Sequence, residues 1–256
     1  MVEYALLRRS ILPNSSRIVI SMKTLLIIPA YNEEDNIGNT LDELSGYSGF
    51  DIIVIDDGSI DGTAEICRQR KAKCISLPFN MGLPDAFKTG MRYAYSNSYD
   101  AAMQFDADGQ HRPEYIRPIL EQLSSGADIV IGSRFKTVRH DRSMRQFGAS
   151  FIRASIRLMT GQAITDPTSG MRAYGKRMIA LFATGHDLTP EPDTLAFLMR
   201  QGIRVSEVQV EMRERQFGKS YLTAFNSVKY MIRMALSIFL IQFVRPEIKA
   251  KEEAQL

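Results

Sequence analysis

Residues 104 to 111 read QFDADGQH and set two carboxylates, Asp106 and Asp108, one residue apart after the apolar run AAMQF and before Gly109. Like charges at a strand end repel each other and resist losing water, so packing alone gives no reason for the pair. In an extended chain, residues i and i+2 face the same way, which puts both carboxylates on one side. Paired hard oxygens of this kind suit a divalent cation such as Mg²⁺ or Mn²⁺. Gly109 leaves backbone room and Gln110 offers a neutral oxygen. His111 is either a further ligand or a hydrogen-bonded residue that organises the turn.

Ligands need a scaffold, and the surrounding chain supplies one. The runs TLLIIPA (24–30), DIIVID (51–56), AKCISLP (72–78), AAMQFD (101–106) and ADIVIGS (127–133) read as strands bounded by turn residues. Amphipathic helical patterns lie between them: NIGNTLDEL, GTAEICRQRK, LPDAFKTGMRYAY and PEYIRPILEQL. This alternation predicts an α/β fold, a mostly parallel sheet with helices on both faces, in which ligands gather at the carboxyl ends of the strands. The five ends read PAYNEE, DDGSIDGT, PFNMG, DADGQH and GSRF. Each alone has a structural explanation: Asp57-Gly58 makes a turn, and Ser59, Asp61 or Asn32 can cap a helix. All five on one edge point to a site.

Composition is consistent with that picture. The chain has 256 residues, 45% hydrophobic and 24% charged, enough for one large domain with a real core. A formal charge of +3 is too small to indicate a nucleic-acid binder driven by bulk charge. Two cysteines, Cys67 and Cys74, have no metal-like spacing and are too few for a disulfide-stapled secreted fold, which favours a reduced, cytoplasmic setting. No stretch reaches the roughly 18 apolar residues of a membrane span. Met22 opens MKTLLIIPAYNEE like a strand-first domain, so residues 1–21 read as a disordered extension or as lying upstream of the true start.

The segments PAYNEEDNI, VIDDGSIDGT, NMGLPDAFKTG, DADGQHRPEYI, IGSRF and DPTSGMR, in this order and spacing, resemble the family 2 glycosyltransferases of GT-A fold. Within that family the similarity is to the branch around dolichyl-phosphate mannose synthases and bacterial enzymes of surface-polysaccharide assembly. It runs from about Thr24 to about Ser220, so a domain over 22–222 and a C-terminal helix and tail over 223–256 are expected. The resemblance implies an inverting, metal-dependent transfer of sugar from a nucleotide-sugar donor to a lipid-linked saccharide or polyprenyl phosphate at the inner leaflet. A cation held by Asp106, Asp108 and Gln110 would neutralise the departing diphosphate. Pro29, Ala30, Tyr31 and Glu33 are implied around base and ribose. Asp56 or Asp57 would bond the base while the other supports the turn. Ala107, Gly82 and Lys88 would lie near the donor, although Lys88 reads equally as a solvated helix charge. In the segment MRERQFGKSYL, Arg215, Lys219 and Ser220 would close over the diphosphate, with Gly218 permitting a mobile flap.

Acceptor recognition is suggested by GSRFKTVRHDRSMRQFGASFIRASIR, where six arginines and Lys136 alternate with Phe135, Phe147, Phe151 and Ile156. A solvated helix face is the plainer reading, yet arginine forks suit phosphate, and the resemblance singles out Arg134. Attack by a hydroxyl needs a general base. The family pattern of an acid at a helix start, eleven residues before a glycine, gives Glu191 from Gly202, with Asp193 and Asp166 as alternatives. An acceptor that is itself a phosphate is already ionised and needs no base. Beyond the last motif, Phe225, Val228, Ile232, Leu236, Phe239 and Phe243 recur at helical spacing and favour self-association or membrane contact over core packing. The rival readings are a non-catalytic nucleotide-sugar binder, against which the intact acidic motifs argue, and a nucleotidyltransferase, which needs a basic glycine-rich loop where PAYNEE is acidic.

Overall fold

A computed structural model describes residues 22–136, 144–185, 188–214 and 224–245, without the side chains of 144–149, 224–229 and 242–243. The expected extension 1–21 and Arg215, Gly218, Lys219 and Ser220 lie outside the described residues. The strands are β1 (Thr24–Ala30), β2 (Asp51–Asp56), β3 (Cys74–Ser76), β4 (Ala101–Gln104), β5 (Ile129–Ser133), β6 (Arg172–Gly175) and β7 (Val205–Gln209). Helices α1 (Ile37–Leu44), α2 (Thr63–Gln69), α3 (Leu83–Ser96) and α4 (Ile116–Ser124) follow the first four strands in turn. Then come α5 (Met144–Thr160), α6 (Lys176–Thr184), α7 (Pro192–Arg200) and α8 (Ala224–Val244).

The strands form one sheet in the order β3-β2-β1-β4-β6-β5-β7. Every pairing is parallel except those of β6, which runs antiparallel to both β4 and β5. Leu25 and Ile27 of β1 pack under α3 and α6 with Phe87 and Met178, whereas Leu26 and Ile28 pack on the other face with Ile37 and Ile119. Coverage on both faces explains why β1 is apolar throughout rather than alternating. Each such buried Leu or Ile contributes about 1.5–3 kcal/mol.

Two local differences from the sequence reading affect the site. The ladder of β4 stops at Gln104 rather than Asp106, because the Asp106 N–H turns away to donate to His111 Nδ1 at 2.9 Å. Strands β6 and β7, unread in the sequence, complete the sheet beyond β4. Because β6 is reversed, the segment leading into Arg172 reaches the edge where β4 and β5 end: Arg172 stands opposite Gln104 and Ile131. Helix α8 also divides the expectation made for it. It packs against α5 and α7 and buries Met234, Ala235 and Ile238, while Ile232 and Leu236 are exposed.

Candidate active site

Strand order reverses beside β1, with β2 on one side and β4 on the other, and an open cleft of about 520 Å³ lies at this switch point. Pro29, Ala30, Tyr31, Glu33, Asp57, Gly82, Asp106, Ala107 and Asp108, all singled out in the sequence, line it together with Asn32, Asn80 and Leu83. Its walls are stitched by side chain to backbone bonds. Ser59 Oγ accepts from the Asn32 N–H at 2.9 Å, Asn32 Oδ1 accepts from the Ile60 N–H at 3.0 Å, and Thr63 Oγ1 accepts from the Glu33 N–H at 2.9 Å. The loops after β1 and β2 therefore form one unit.

Asp57 is buried, and its two carboxylate oxygens accept the N–H groups of Met81 and Gly82, both at 2.8 Å. It thus clamps the loop after β3 to the cleft. Gly58 makes the approach feasible: its φ is +70°, and a Cβ there would meet the Phe79 backbone at 2.5 Å. Asp56 is equally buried, accepts from the Ser59 N–H at 3.0 Å, and is not among the lining residues.

The acidic turn is held at each position. Gln104 Nε2 donates to Asp106 Oδ1 at 2.9 Å, Thr40 Oγ1 donates to the Ala107 carbonyl at 2.9 Å, and the Gln110 N–H donates to Asp108 Oδ1 at 3.1 Å. His111 is buried; with Nδ1 accepting from the Asp106 backbone, its proton sits on Nε2, 3.4 Å from Asp106 Oδ2. Both ring nitrogens serve the turn. Gly170 gives the carboxylate its space, since a Cβ there would lie 2.6 Å from Asp106 Oδ2. Gln110 donates from Nε2 to the Arg213 carbonyl at 3.3 Å, which leaves its amide oxygen as a donor atom for a cation. Arg213 is anchored in turn by a two-pronged pair with Glu43 at 2.6 and 2.8 Å. The Arg213 hydrogen bonds hold the Glu43 carboxyl below its usual range.

Across the sheet edge the acids have side-chain partners. Asp166 is 1% exposed and takes a forked pair from Arg134, Nε to Oδ2 at 2.7 Å and Nη2 to Oδ1 at 2.8 Å. Burial works against the Arg134 charge, but the hydrogen bonds to Asp166 and the charges of Asp166 and Asp106 together outweigh it and raise the guanidinium pKa. Glu207 holds this loop from below, accepting the N–H groups of Thr165 and Asp166. Arg172, also buried, donates to the carbonyls of Ser169 at 2.7 Å, Pro167 at 2.5 Å and Pro190 at 3.1 Å, joining the loop to the start of α7. There Glu191 stands at the N-cap position of α7 without a side-chain cap bond and accepts the Tyr230 hydroxyl, and Asp193 accepts Ser237 Oγ at 2.6 Å. Burial, then the Glu191 charge, push the Tyr230 phenol well up, so it stays a donor.

Lys88 is half-buried on α3 and does not line the cleft. Gly170, Arg172, Glu207 and Tyr230 were not singled out in the sequence. The first two stand inside the quoted DPTSGMR motif, and Glu207 is the one acid in VSEVQV; Tyr230 carries no local signal.

The sequence profile described as glycosyl transferase family 2 matches residues 25–182. An undecaprenyl-phosphate mannosyltransferase of Micrococcus luteus is 33% identical over 79% of this chain and 88% of its own length. A UDP-N-acetylglucosamine–dolichyl-phosphate N-acetylglucosaminyltransferase of Methanococcus voltae is 33% identical over 62% of this chain and 71% of its own. Among solved structures, glucosyl-3-phosphoglycerate synthase of Mycobacterium tuberculosis, in complex with Mn²⁺, UDP and phosphoglyceric acid, superposes with a TM-score of 0.65. It is 18% identical and is covered over 81% of its length by 89% of this chain.

Proposed function

This chain belongs to glycosyl transferase family 2, and from that premise we propose that it moves a sugar from a nucleotide diphosphate to a polyprenyl phosphate, inverting the anomeric carbon. The observation that carries the reading is the acidic turn: Asp106 and Asp108 line one cleft, held by Gln104, Thr40, Gln110 and His111. Two carboxylates and an amide oxygen fit Mg²⁺ or Mn²⁺. Among the described residues no third acid, His or Cys joins them, so diphosphate oxygens would complete the shell. A cation bound there supplies Lewis-acid stabilisation of the leaving diphosphate. The chain's own part is to hold the nucleotide against Pro29, Tyr31 and the Asp57 loop. Arg215, Lys219 and Ser220 would close over the phosphates, and the cleft would keep water from the anomeric carbon.

The state of the remaining acids supports a phosphate acceptor. Asp166 is paired with Arg134, Glu191 with Tyr230 and Asp193 with Ser237, so each candidate base already accepts from a donor. A hydroxyl nucleophile needs one of them to take its proton; a phosphate oxyanion needs none. The relatives from M. luteus and M. voltae differ in the sugar named but share a polyprenyl phosphate. Arg134, beside Thr168, is the residue assigned to that phosphate.

The test combines the purified chain, Mn²⁺, a panel of UDP-, GDP- and dTDP-sugars and a short-chain polyprenyl phosphate soluble without lipid. A glycosyl phosphate lipid is expected by mass spectrometry with one donor, and the same donor with Mn²⁺ should raise the melting temperature. Sugar found only on a hydroxyl acceptor would overturn the acceptor assignment. Donor binding indifferent to Mn²⁺ would overturn the role of the acidic turn.

A further inference from the structure

We propose that the face built by α5 and α8 docks on an anionic lipid bilayer, with α8 lying along the interface. The inference goes beyond the acceptor assignment and stands on different residues. Helix α8 has 21 residues, about 31 Å at 1.5 Å per residue. Its inner side belongs to the protein, through Met234, Ala235 and Ile238 in the core and Ser237 on Asp193. Its outer side shows Ile232, Leu236, Leu240 and Val244, one every four residues, exposed by 53%, 57%, 63% and 78%. Helix α5, packed alongside, adds Phe151 and Leu158 at 54% and 74%. These are six of the twelve large exposed apolar side chains among the described residues, so the surface is not scattered but gathered on two neighbouring helices.

Charge decides the occupant. Helices α5 and α8, 17 and 21 residues long, contain no Asp or Glu, whereas they carry Arg145, Arg153, Arg157, Lys229 and Arg233. Arg157 and Arg233 are exposed beside the apolar stripes. A second copy seated by a two-fold axis would set these cations against one another with no acid on either helix to offset them. Acidic headgroups offset them directly, and an apolar stripe flanked by Lys and Arg is the pattern of an interfacial helix. No helix among the described residues is long and apolar enough to cross a membrane.

The position suits a lipid substrate. Arg153 donates to the Thr165 carbonyl at 3.3 Å, tying α5 to the loop that carries Asp166. A cavity of about 360 Å³, lined in part by Phe135, Arg153, Arg157 and Thr165, opens next to Arg134. A phosphate reaching Arg134 from this side need not bring its lipid tail through bulk water.

The experiment is co-sedimentation of the full chain with vesicles of phosphatidylcholine, with and without phosphatidylglycerol, lacking polyprenyl phosphate and donor. Binding is expected to phosphatidylglycerol vesicles at low salt, about tenfold weaker to phosphatidylcholine alone. The pair Leu236→Glu with Leu240→Glu should lower partition about tenfold, and the milder Leu236→Ser with Leu240→Ser should also lower it, each with unchanged circular dichroism and donor hydrolysis in solution. The pair Arg157→Glu with Arg233→Glu should remove the preference for phosphatidylglycerol. Absence of binding, binding insensitive to these substitutions, or a concentration-dependent dimer that the Leu variants dissolve would overturn the proposal. Turnover of the short-chain acceptor needs no bilayer, so the acceptor assignment and the docking face can fail separately.

Discussion

On the β1 to β4 side of the sheet, Asp56, Asp57 and Asp108 are held by backbone, and Asp106 by the side chains of Gln104 and His111. Asp57 accepts two loop N–H groups, Asp56 accepts one, and Asp108 accepts the N–H of Gln110. On the β6, β5 and β7 side, Asp166, Glu191 and Asp193 are held by the side chains of Arg134, Tyr230 and Ser237, with the backbone N–H groups of Arg134 and Thr194 adding to Asp166 and Asp193. A carboxylate bound to backbone amides moves only if its loop moves. One bound to a rotatable side chain is released by a rotamer change or by displacement of a helix. On the proposed function the first side is the donor half and the second the acceptor half, and the donor half would be the more nearly preset of the two.

The comparison breaks first at the acidic turn. Asp108→Asn should lower turnover on the order of a thousandfold and abolish the Mn²⁺-dependent thermal shift with donor, while leaving the melting temperature without ligand nearly unchanged. Full turnover in this variant would mean that the prebuilt half is not where the chemistry is stabilised. Next in size are the clamps. Asp57→Ala strands two N–H groups and should cost about 3 kcal/mol in urea unfolding, with a raised KM for donor. Arg134→Met, which leaves Asp166 buried without its cation, should cost a similar amount, about 3 kcal/mol, and clearly more than Asp166→Asn. Equal costs for those two would show that Asp166 is not an ion buried at the expense of its partner.

Gly170→Ala tests whether the halves touch. The added methyl must displace the Asp106 carboxylate, so the Mn²⁺ concentration for half-maximal activity should rise about tenfold with stability lowered by about 1 kcal/mol. The smallest effect is expected at Tyr230→Phe, which frees Glu191: turnover with a phosphate acceptor should stay within about threefold. A collapse of kcat there, with a shifted pH profile, would make Glu191 a working base.

Much of the donor half could be read from sequence, because strands buried on both faces are continuous apolar runs and their ends carry Asp, Asn and Gly close together in the chain. The bounds of β1 and β2 agree with that reading residue for residue. The acceptor half was less legible. Strand β6 is four residues, RAYG, opening with a buried arginine, and β7 carries Ser, Glu and Gln, so neither shows a strand pattern. Gly170 and Arg172 have meaning only against Asp106 and Pro190, which lie far away in sequence. The division of Asp56 and Asp57 likewise depends on loop amides that local spacing does not reveal. For α8, helical spacing marked an apolar face but not which half of the helix the core would take.

The reversed strand β6 has a consequence for how such a molecule can vary. On the proposed function, the stretch between α5 and Arg172 would form the wall facing the incoming nucleophile, and it takes no part in the ladders that join β1 to β2 and β4. A change of length in that stretch would then exchange the partner receiving the sugar while the pairing of the strands that grip the leaving nucleotide stays fixed.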